Sequence, residues 1–335
     1  MCINNISNWI YENGIDDNIV LYSKVSIYRN IDNIRFYHYM DKDEFNEVDN
    51  ILKPVIEELN TDLSCIKFSD LSPINIRILM ENLTIPNNKY LFNASLYTNT
   101  EESTSILINS NEHLEIQSIS RGLELEKCLE KAYKIENEID KKVDFAYNKK
   151  FGYLTSSPYI IGIAMNITVC MAIPCLIWKN PDNVDYLISE YRKIGLNIEI
   201  KRGLLYITNN TMLGFTNKCM LDNFMSKVNE ILNKEKNIRD RIKKLDKIKV
   251  EDKIYRSKSI LLSAKSLKYK ELINYTSWIR VGLYYGILEN INLNLLYYMI
   301  FLGKKSHLKL LYKGNTHYKD IDEIRANIIR ELINK

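Results

Sequence analysis

The chain has 335 residues, which is enough for one large hydrophobic core or for two domains. Hydrophobic residues make up 46% and charged residues 26% of it, as in an ordinary globular protein. Because 46 basic groups nearly balance 42 acidic groups, the net charge of +4 gives no strong attraction to nucleic acid or an anionic membrane, and we expect neither as a partner.

The N-terminus holds no basic run followed by an apolar block, so no secretory signal is visible and a cytoplasmic protein is expected. Alternating β-branched residues then predict strands over Leu21–Ile27, Ser105–Ile108 and His113–Ile119. Leu123–Tyr147 repeats apolar residues with a helical spacing, which predicts a long amphipathic helix.

Tyr159–Trp178 carries no formal charge and is long enough to span a bilayer. However, it contains Gly162, Asn166 and Pro174, and its flanks show no clear positive bias. We therefore favour a buried segment of a soluble protein over a membrane span.

The following segments change from mixed strand and helix to helix alone. We predict a helix over Asn183–Ile194, strands over Asn197–Lys201 and Leu204–Thr208, and helices over Leu221–Ile248, Glu251–Ala264, Lys268–Tyr285, Leu293–Leu302 and from about Ile321. This change places a boundary near residue 250. The sequence thus predicts an α+β domain over residues 1–249 and an all-helical domain over residues 250–335.

The cysteines and histidines lack the C-x-x-C or H-E-x-x-H spacing of redox pairs and metal sites. The six cysteines are Cys2, Cys65, Cys128, Cys170, Cys175 and Cys219, and the four histidines are His38, His113, His307 and His317. We expect free, buried thiols in a reducing cytosol and no metal site.

Four segments carry a family resemblance. Asn109–Gln117 reads N-S-N-E-H-L-E-I-Q and Phe151–Pro174 begins F-G-Y-L-T-S-S-P, while Ile254–Leu261 and Ile279–Ile287 read I-Y-R-S-K-S-I-L and I-R-V-G-L-Y-Y-G-I. These four segments resemble segments of the bacterial protein-arginine kinases (McsB), a branch of the phosphagen (guanidino) kinases, and they follow one another along the chain in the same order. The resemblance implies a catalytic-type domain with an antiparallel sheet flanked by helices. It also implies a helical C-terminal domain that mediates homodimers and senses phosphoarginine.

Transfer of a phosphoryl group from Mg-ATP to a guanidinium needs a carboxylate that accepts a proton, because the guanidinium is protonated at physiological pH. The family supplies carboxylates from N-E-E-D. Here Ser110 and Asn111 occupy the two Glu positions, and only Glu112, at the Asp position, keeps a charge. Glu112 is thus the one candidate base, although an ordinary hydrogen-bonded acid explains it equally simply.

The transferring phosphates also need several positive charges held in place. By resemblance, Lys24 and Ser26 replace two phosphate-binding arginines, Glu115 and Asn166 replace two more, and Asn82 replaces a histidine associated with the nucleotide. Arg202 matches a family arginine, but the glycine- and glutamate-rich loop that follows it in the family is absent. Mg-ATP is expected as a cofactor only if the chain is active.

The family's phosphoarginine-sensing pocket uses an R-D-x-x-R-A motif. Ile321–Ala326 reads I-D-E-I-R-A and keeps Asp322 and Arg325. A carboxylate can bind the guanidinium of phosphoarginine and an arginine its phosphate. The alternative is an amphipathic terminal helix with ordinary charges.

Two hypotheses follow. The first is a catalytically impaired pseudokinase with a regulatory or binding role in bacterial protein quality control. Its partners by resemblance are an activator protein, the Clp unfoldase–protease and the heat-shock repressor. The second is an active ATP-dependent arginine phosphotransferase with a rearranged site, in which Glu112 is the base and Lys24 and Arg202 belong to the clamp.

Overall fold

The computed structural model describes residues 6–59, 62–87, 91, 93–193, 195–209, 217–312 and 320–334. Cys2 and His317 therefore lie outside the described residues. Of the other cysteines, Cys128, Cys170 and Cys175 are buried, but Cys65 and Cys219 are exposed. The expectation of buried thiols is wrong for these two, because Cys65 lies on an edge strand and Cys219 on the solvent side of a long helix.

Ten strands form two antiparallel sheets among the described residues. The strands are β1 Val20–Arg29, β2 Ser64–Lys67, β3 Ser95–Thr98, β4 Thr104–Ile108, β5 Leu114–Arg121, β6 Tyr147–Asn148, β7 Gly152–Tyr153, β8 Met165–Met171, β9 Leu196–Lys201 and β10 Leu204–Asn209. Eight of them form the main sheet in the order β2-β3-β4-β5-β1-β8-β10-β9, and β6 pairs with β7.

Eleven α-helices accompany the sheets in the described part of the chain. They are α1 Lys42–Glu57, α2 Pro73–Glu81, α3 Leu125–Asp140, α4 Pro174–Lys179, α5 Pro181–Lys193, α6 Asn217–Leu245, α7 Lys247–Ser263, α8 Tyr269–Tyr285, α9 Leu293–Leu302, α10 Lys305–Leu311 and α11 Ile321–Ile333. Antiparallel strands and helices make up the first part of the chain, and the described residues after β10 that form secondary structure are all helical. The predicted α+β class is therefore confirmed.

The main sheet has one apolar face and one largely polar face. In β1, Val25 and Ile27 point into the main core with Ile116 of β5 and Ile167 of β8, where α1, α3 and α6 cover them. The alternate residues of the same strands lie on the opposite face, because successive side chains of a strand point to opposite sides. The strand alternation in the sequence therefore specifies which residues are available for a site.

The C-terminal helices pack on one end of the polar face. Trp9 and Tyr22 share a core with Phe301 of α9, and the Trp9 and Phe301 rings lie edge to face with centroids 5.4 Å apart. The Tyr297 hydroxyl donates to the Leu21 carbonyl at 2.8 Å, and Asn18 donates to the Arg280 carbonyl at 2.9 Å. These contacts join the first strand of the chain to the helices of its second half.

A buried ion pair fixes α6 against the sheet. The Arg239 Nε and the Glu235 Oε1 are 2.8 Å apart, and both side chains are fully buried. Glu235 also accepts from the backbone N–H of Leu176 at the start of α4, at 2.8 Å. Arg239 donates to Asn18 at 2.5 Å. Both charges are thus compensated by partners from three parts of the chain.

Several predicted boundaries differ from the structure. The helix predicted over Leu123–Tyr147 ends at Asp140, because Val143 is buried in the core and Phe145 forms a β-bridge with Ile31. The helix predicted over Leu221–Ile248 ends at Leu245. Helix α5 ends at Lys193, and Ile194 lies outside the described residues.

The uncharged stretch Tyr159–Trp178 forms β8 and most of α4 inside the fold. Within the described residues, none of the helices is long and apolar enough to cross a membrane. Helices α1, α2 and α10 were not predicted from the sequence. The start signals of α1 and α2 are present in it, since Asp41 and Glu44 form a capping box and Ser72 precedes Pro73.

Candidate functional site

Four of the residues singled out in the sequence lie side by side on the polar sheet face. Ser26 of β1 is paired with Asn166 of β8 and, on its other side, with Gln117 of β5. Lys24 and Glu115 occupy the same face two residues from this row on their own strands. The register therefore brings Lys24, Ser26, Glu115 and Asn166 together, although they are far apart in the sequence.

The four singled-out residues contribute one acid and one base to this face, and both are poorly solvated. Burial raises the pKa of the Glu115 carboxyl to about 7, an effect that Lys24 and a hydrogen bond from Ser26 partly offset. Burial also lowers the pKa of Lys24, which Glu115 opposes. Within the described residues the Glu115 Oε1 atom has no hydrogen-bond partner. These four positions thus offer a phosphate one cation and one buried carboxylate.

Glu112 lies in the tight turn between β4 and β5 and is only 1% exposed. Its Oε2 accepts from the Asn30 side chain at 2.6 Å and from the Ser156 backbone N–H at 2.9 Å. Its Oε1 accepts from the Ser156 hydroxyl at 2.6 Å. Three donors thus hold this carboxylate, which joins the end of β1 to the segment after β7.

Ser110 and Asn111 belong to the same turn. The Ser110 N–H donates to the Glu112 carbonyl at 3.1 Å, and the Asn111 carbonyl lies 3.0 Å from the Ser156 hydroxyl oxygen, whose single proton is nearer to Glu112. Neither side chain is ionisable near neutral pH. Asn82 lies at the end of α2, where its side chain donates to the buried Glu102 carboxylate at 3.4 Å. These positions contribute structural hydrogen bonds and no charge.

Arg202 lies in a two-residue hairpin turn between β9 and β10. Lys201 and Leu204 are paired directly across the turn, and Arg202 and Gly203 have φ values of 56° and 92°. Positive φ at both central residues is typical of a type I′ turn, which connects twisted strands tightly. The resemblance implies a longer loop at this place than the two-residue turn observed. The Arg202 guanidinium lies 5.3 Å from the ring centroid of Tyr269 in α8.

Asp322 and Arg325 are ion-paired on α11. Arg325 is 3% exposed, and it also donates to the carbonyls of Gly303 at 2.6 Å and Leu267 at 2.7 Å. Its guanidinium therefore binds the ends of neighbouring helices. The structure brings the two motif residues together, but most of the described hydrogen bonds of the Arg325 guanidinium go to the protein backbone.

Sequence reasoning missed a basic cavity of about 530 Å³ between the two halves of the chain. Arg202 and Arg325 line it together with Arg77 of α2 and the Lys304–Lys305 pair at the start of α10. Tyr206 and Tyr269 supply aromatic walls. Sequence reasoning singled out Arg202 and Arg325 separately but did not place them in one cavity, because the cavity depends on packing between residues more than 200 positions apart.

Comparisons with known proteins agree with this architecture. A family model described as ATP:guanido phosphotransferase, C-terminal catalytic domain, matches residues 46–238, and one described as protein-arginine kinase McsB C-terminal domain matches residues 247–335. The protein-arginine kinase of Halothermothrix orenii is 28% identical over 341 residues, which cover 98% of this chain and 97% of that protein. The protein-arginine kinase of Bacillus cereus is 27% identical over 342 residues, which cover 98% of this chain and 96% of that protein.

Among solved structures, the duplicated taurocyamine kinase from Schistosoma mansoni with bound transition state analog components has a TM-score of 0.59 and 18% sequence identity. That match covers 69% of this chain and 34% of the duplicated chain. It confirms the predicted phosphagen-kinase fold. With the two family models and the near full-length relatives, these likenesses show that the chain belongs to the ATP:guanido phosphotransferase family, in its protein-arginine kinase branch.

Proposed function

We propose that this chain is a pseudokinase, a member of the family that has lost phosphoryl transfer and acts by binding. The observation that carries the proposal is the state of Glu112, the one acid left at the family's carboxylate positions. Its two oxygens already accept hydrogen bonds from Asn30 and from both donors of Ser156. A base that positions a guanidinium must face it within hydrogen-bond reach, and this carboxylate is buried in a turn.

The charge on the sheet face supports the same proposal. Mg-ATP brings several negative charges, which members of the family neutralise with arginines. At the matching positions here, Lys24 alone is basic, Ser26 and Asn166 are neutral, and Glu115 is acidic. Each lost charge-assisted hydrogen bond removes about 1.5–3 kcal/mol of phosphate binding. These residues do not fit Mg-ATP in the family's arrangement.

The hairpin at Arg202 and Gly203 removes a further part of the machinery. By resemblance, the family's loop at this place closes over the substrate guanidinium and contributes an acid. Two residues in a type I′ turn can do neither, because Lys201 and Leu204 are already paired on both sides of the turn.

We propose that the binding role belongs to bacterial protein quality control in the cytoplasm. The expected partners are those that the resemblance implies: an activator protein, the Clp unfoldase–protease and the heat-shock repressor. A homodimer through the helical C-terminal region is part of the same proposal. The support for this role is the relationship to protein-arginine kinases over nearly the whole chain.

The alternative is an active arginine phosphotransferase with a rearranged site. One observation favours it: the pKa of Glu115 lies near 7, which is the range suited to a general base at physiological pH. In that case Glu115, rather than Glu112, becomes the candidate proton acceptor beside Lys24.

A transfer assay decides between the two. The full chain is incubated with Mg-ATP and an arginine-rich protein, and phosphoarginine is measured by mass spectrometry under conditions that preserve the acid-labile bond. We expect no phosphoarginine above the level of a sample without the chain. Phosphoarginine that disappears in Glu115→Gln or in Glu112→Gln would refute the pseudokinase proposal and name the base.

A further inference from the structure

The basic cavity between the two halves of the chain contains charges that the family's catalytic positions do not explain. Arg77, Lys201, Arg202 and Lys305 are exposed around its mouth, while Lys304 lies deeper. Its volume of about 530 Å³ falls within the range of about 300–1,000 Å³ typical of small-molecule sites.

The acids near this cavity neutralise only part of its charge. Lys201 pairs with Glu199, and Arg325 pairs with Asp322. Within the described residues, Arg77, Arg202, Lys304 and Lys305 form no ion pair. Four such cations with one lining acid, Glu81, leave a net charge of about +3.

Glu81 is also held by other partners. Its carboxylate accepts from the Ser306 N–H at 3.0 Å and from the Ser306 hydroxyl at 3.0 Å, so it caps the start of α10. Lys304 donates to the Glu81 backbone carbonyl rather than to its carboxylate. Burial and the nearby Arg202 lower the pKa of Lys304 to about 8, against the opposing effect of Glu81. The ammonium of Lys304 is thus poorly solvated at the inner end of the cavity.

We propose that this cavity binds an anion with two or more linked phosphate groups. A phosphate monoester carries a charge of only about −1.5 to −2, which is less than the positive charge that the cavity presents. A polyphosphate chain carries enough negative charge to match the cavity, which Lys304, Lys305, Arg77 and Arg202 line together. Arginine and lysine both bind phosphate oxygens by charge-assisted hydrogen bonds.

The proposal rests on the binding role proposed above and names its ligand class. The positive charge missing from the polar sheet face is supplied here by side chains from α2, the β9–β10 turn and α10. The ligand therefore contacts both halves of the chain. The remaining lining residues include Tyr206 and Tyr269, whose rings can stack with a nucleobase.

The test is isothermal titration calorimetry of the full chain with tripolyphosphate. We expect saturable binding with a Kd below about 1 mM. Lys305→Gln and Arg77→Gln should each weaken binding about tenfold or more, since each removes one charge-assisted hydrogen bond. Lys309→Gln removes the same charge from an exposed position on the same helix and should leave the affinity unchanged.

Three outcomes of this titration series would overturn the proposal. One is the absence of saturable binding, and another is an equal loss of affinity in Lys309→Gln and Lys305→Gln, which would indicate unspecific attraction. The third is loss of binding in Lys24→Gln with no effect of Lys305→Gln, which would place the anion on the sheet face.

Further titrations identify the ligand. Inorganic phosphate that binds as tightly as tripolyphosphate would contradict the polyphosphate class. ATP that binds more tightly than tripolyphosphate would identify a nucleotide, and equal affinity would identify a bare polyphosphate chain. None of these results depends on phosphoryl transfer, so failure here and failure of the pseudokinase proposal are distinguishable.

Discussion

Replacing Glu115 with glutamine should stabilise the fold at alkaline pH and change little at acidic pH. The pKa of this carboxyl rises from 4.5 to about 7 on folding, chiefly because the group is buried. Between these values the folded chain holds a proton that the unfolded chain releases, so the free energy of unfolding falls as pH rises from about 4.5 to about 7. At about 1.4 kcal/mol for each pH unit, the cost above pH 7 is about 3 kcal/mol.

The attraction of Lys24 is already part of this value, because the pKa of about 7 is what remains after Lys24 partly offsets the effect of burial. Glutamine resembles the protonated carboxyl, so the net stabilisation at pH 8 should be about 3 kcal/mol. At pH 5 the carboxyl of the folded wild-type chain is already protonated, and the two proteins should differ little.

Urea denaturation at pH 5 and pH 8 measures both values. Glu130→Gln, an exposed position on α3, removes the same formal charge and controls for the net charge of the chain. If Glu115→Gln shifted the unfolding free energy equally at both pH values, or lowered it at pH 8, the assignment of a buried, destabilising carboxylate would be wrong.

The remaining predictions concern other buried groups. Glu112→Gln should lower the free energy of unfolding by about 2–4 kcal/mol in urea titrations. The NH2 group of the glutamine cannot accept a hydrogen bond, so at least one donor that now binds the carboxylate loses its partner. Gly203→Ala should cost about 1 kcal/mol or more in thermal melts, owing to its φ of 92° and not to a clash, since the nearest atom to an added Cβ lies at 3.9 Å. Arg239→Met should cost about 3–5 kcal/mol in urea titrations by leaving Glu235 buried without its partner, and Glu235→Gln in the same chain should restore part of the loss. Tripolyphosphate affinity measured by calorimetry should fall between pH 7 and pH 9, because Lys304, with a pKa of about 8, loses its positive charge over that interval.

Each of these predictions has a result that would contradict it. Unchanged stability in Glu112→Gln would mean that its three donors find other partners. An unchanged melting temperature of Gly203→Ala would mean that the turn takes another backbone conformation without loss of stability. Full tolerance of Arg239→Met would argue against the buried pair as an anchor for α6. A pH-independent affinity would exclude Lys304 from the anion site.

The fold was predictable because its strands alternate and its second half repeats apolar residues at helical spacing. The resemblance then supplied the sheet type and the identity of the altered positions. It did not show how Glu112 is held, since the Asn30 and Ser156 side chains that bind it are 82 and 44 residues away. Hydrogen bonds of this kind depend on tertiary packing, which no local pattern records.

The basic cavity was beyond sequence reasoning for a related reason. Arg77, Arg202 and Lys304 have no common motif, and only Arg202 was singled out in the sequence. They meet because α10 packs against α2 and the β9–β10 turn lies beside α8. The long helix predicted up to Tyr147 was wrong for the same reason, because the pairing of Phe145 with Ile31 outweighs local helical periodicity.

The contact of Trp9 and Tyr22 with Phe301 and Tyr297 has a practical consequence for anyone who shortens this protein. A fragment that stops before α7 leaves a patch of large aromatic surface facing water, next to backbone carbonyls of β1 that have lost the Tyr297 hydroxyl. The sequence pattern suggests two separable units, but this apolar core contains residues of both. Loss of binding in such a fragment would therefore report damage to the whole molecule rather than the location of a partner site.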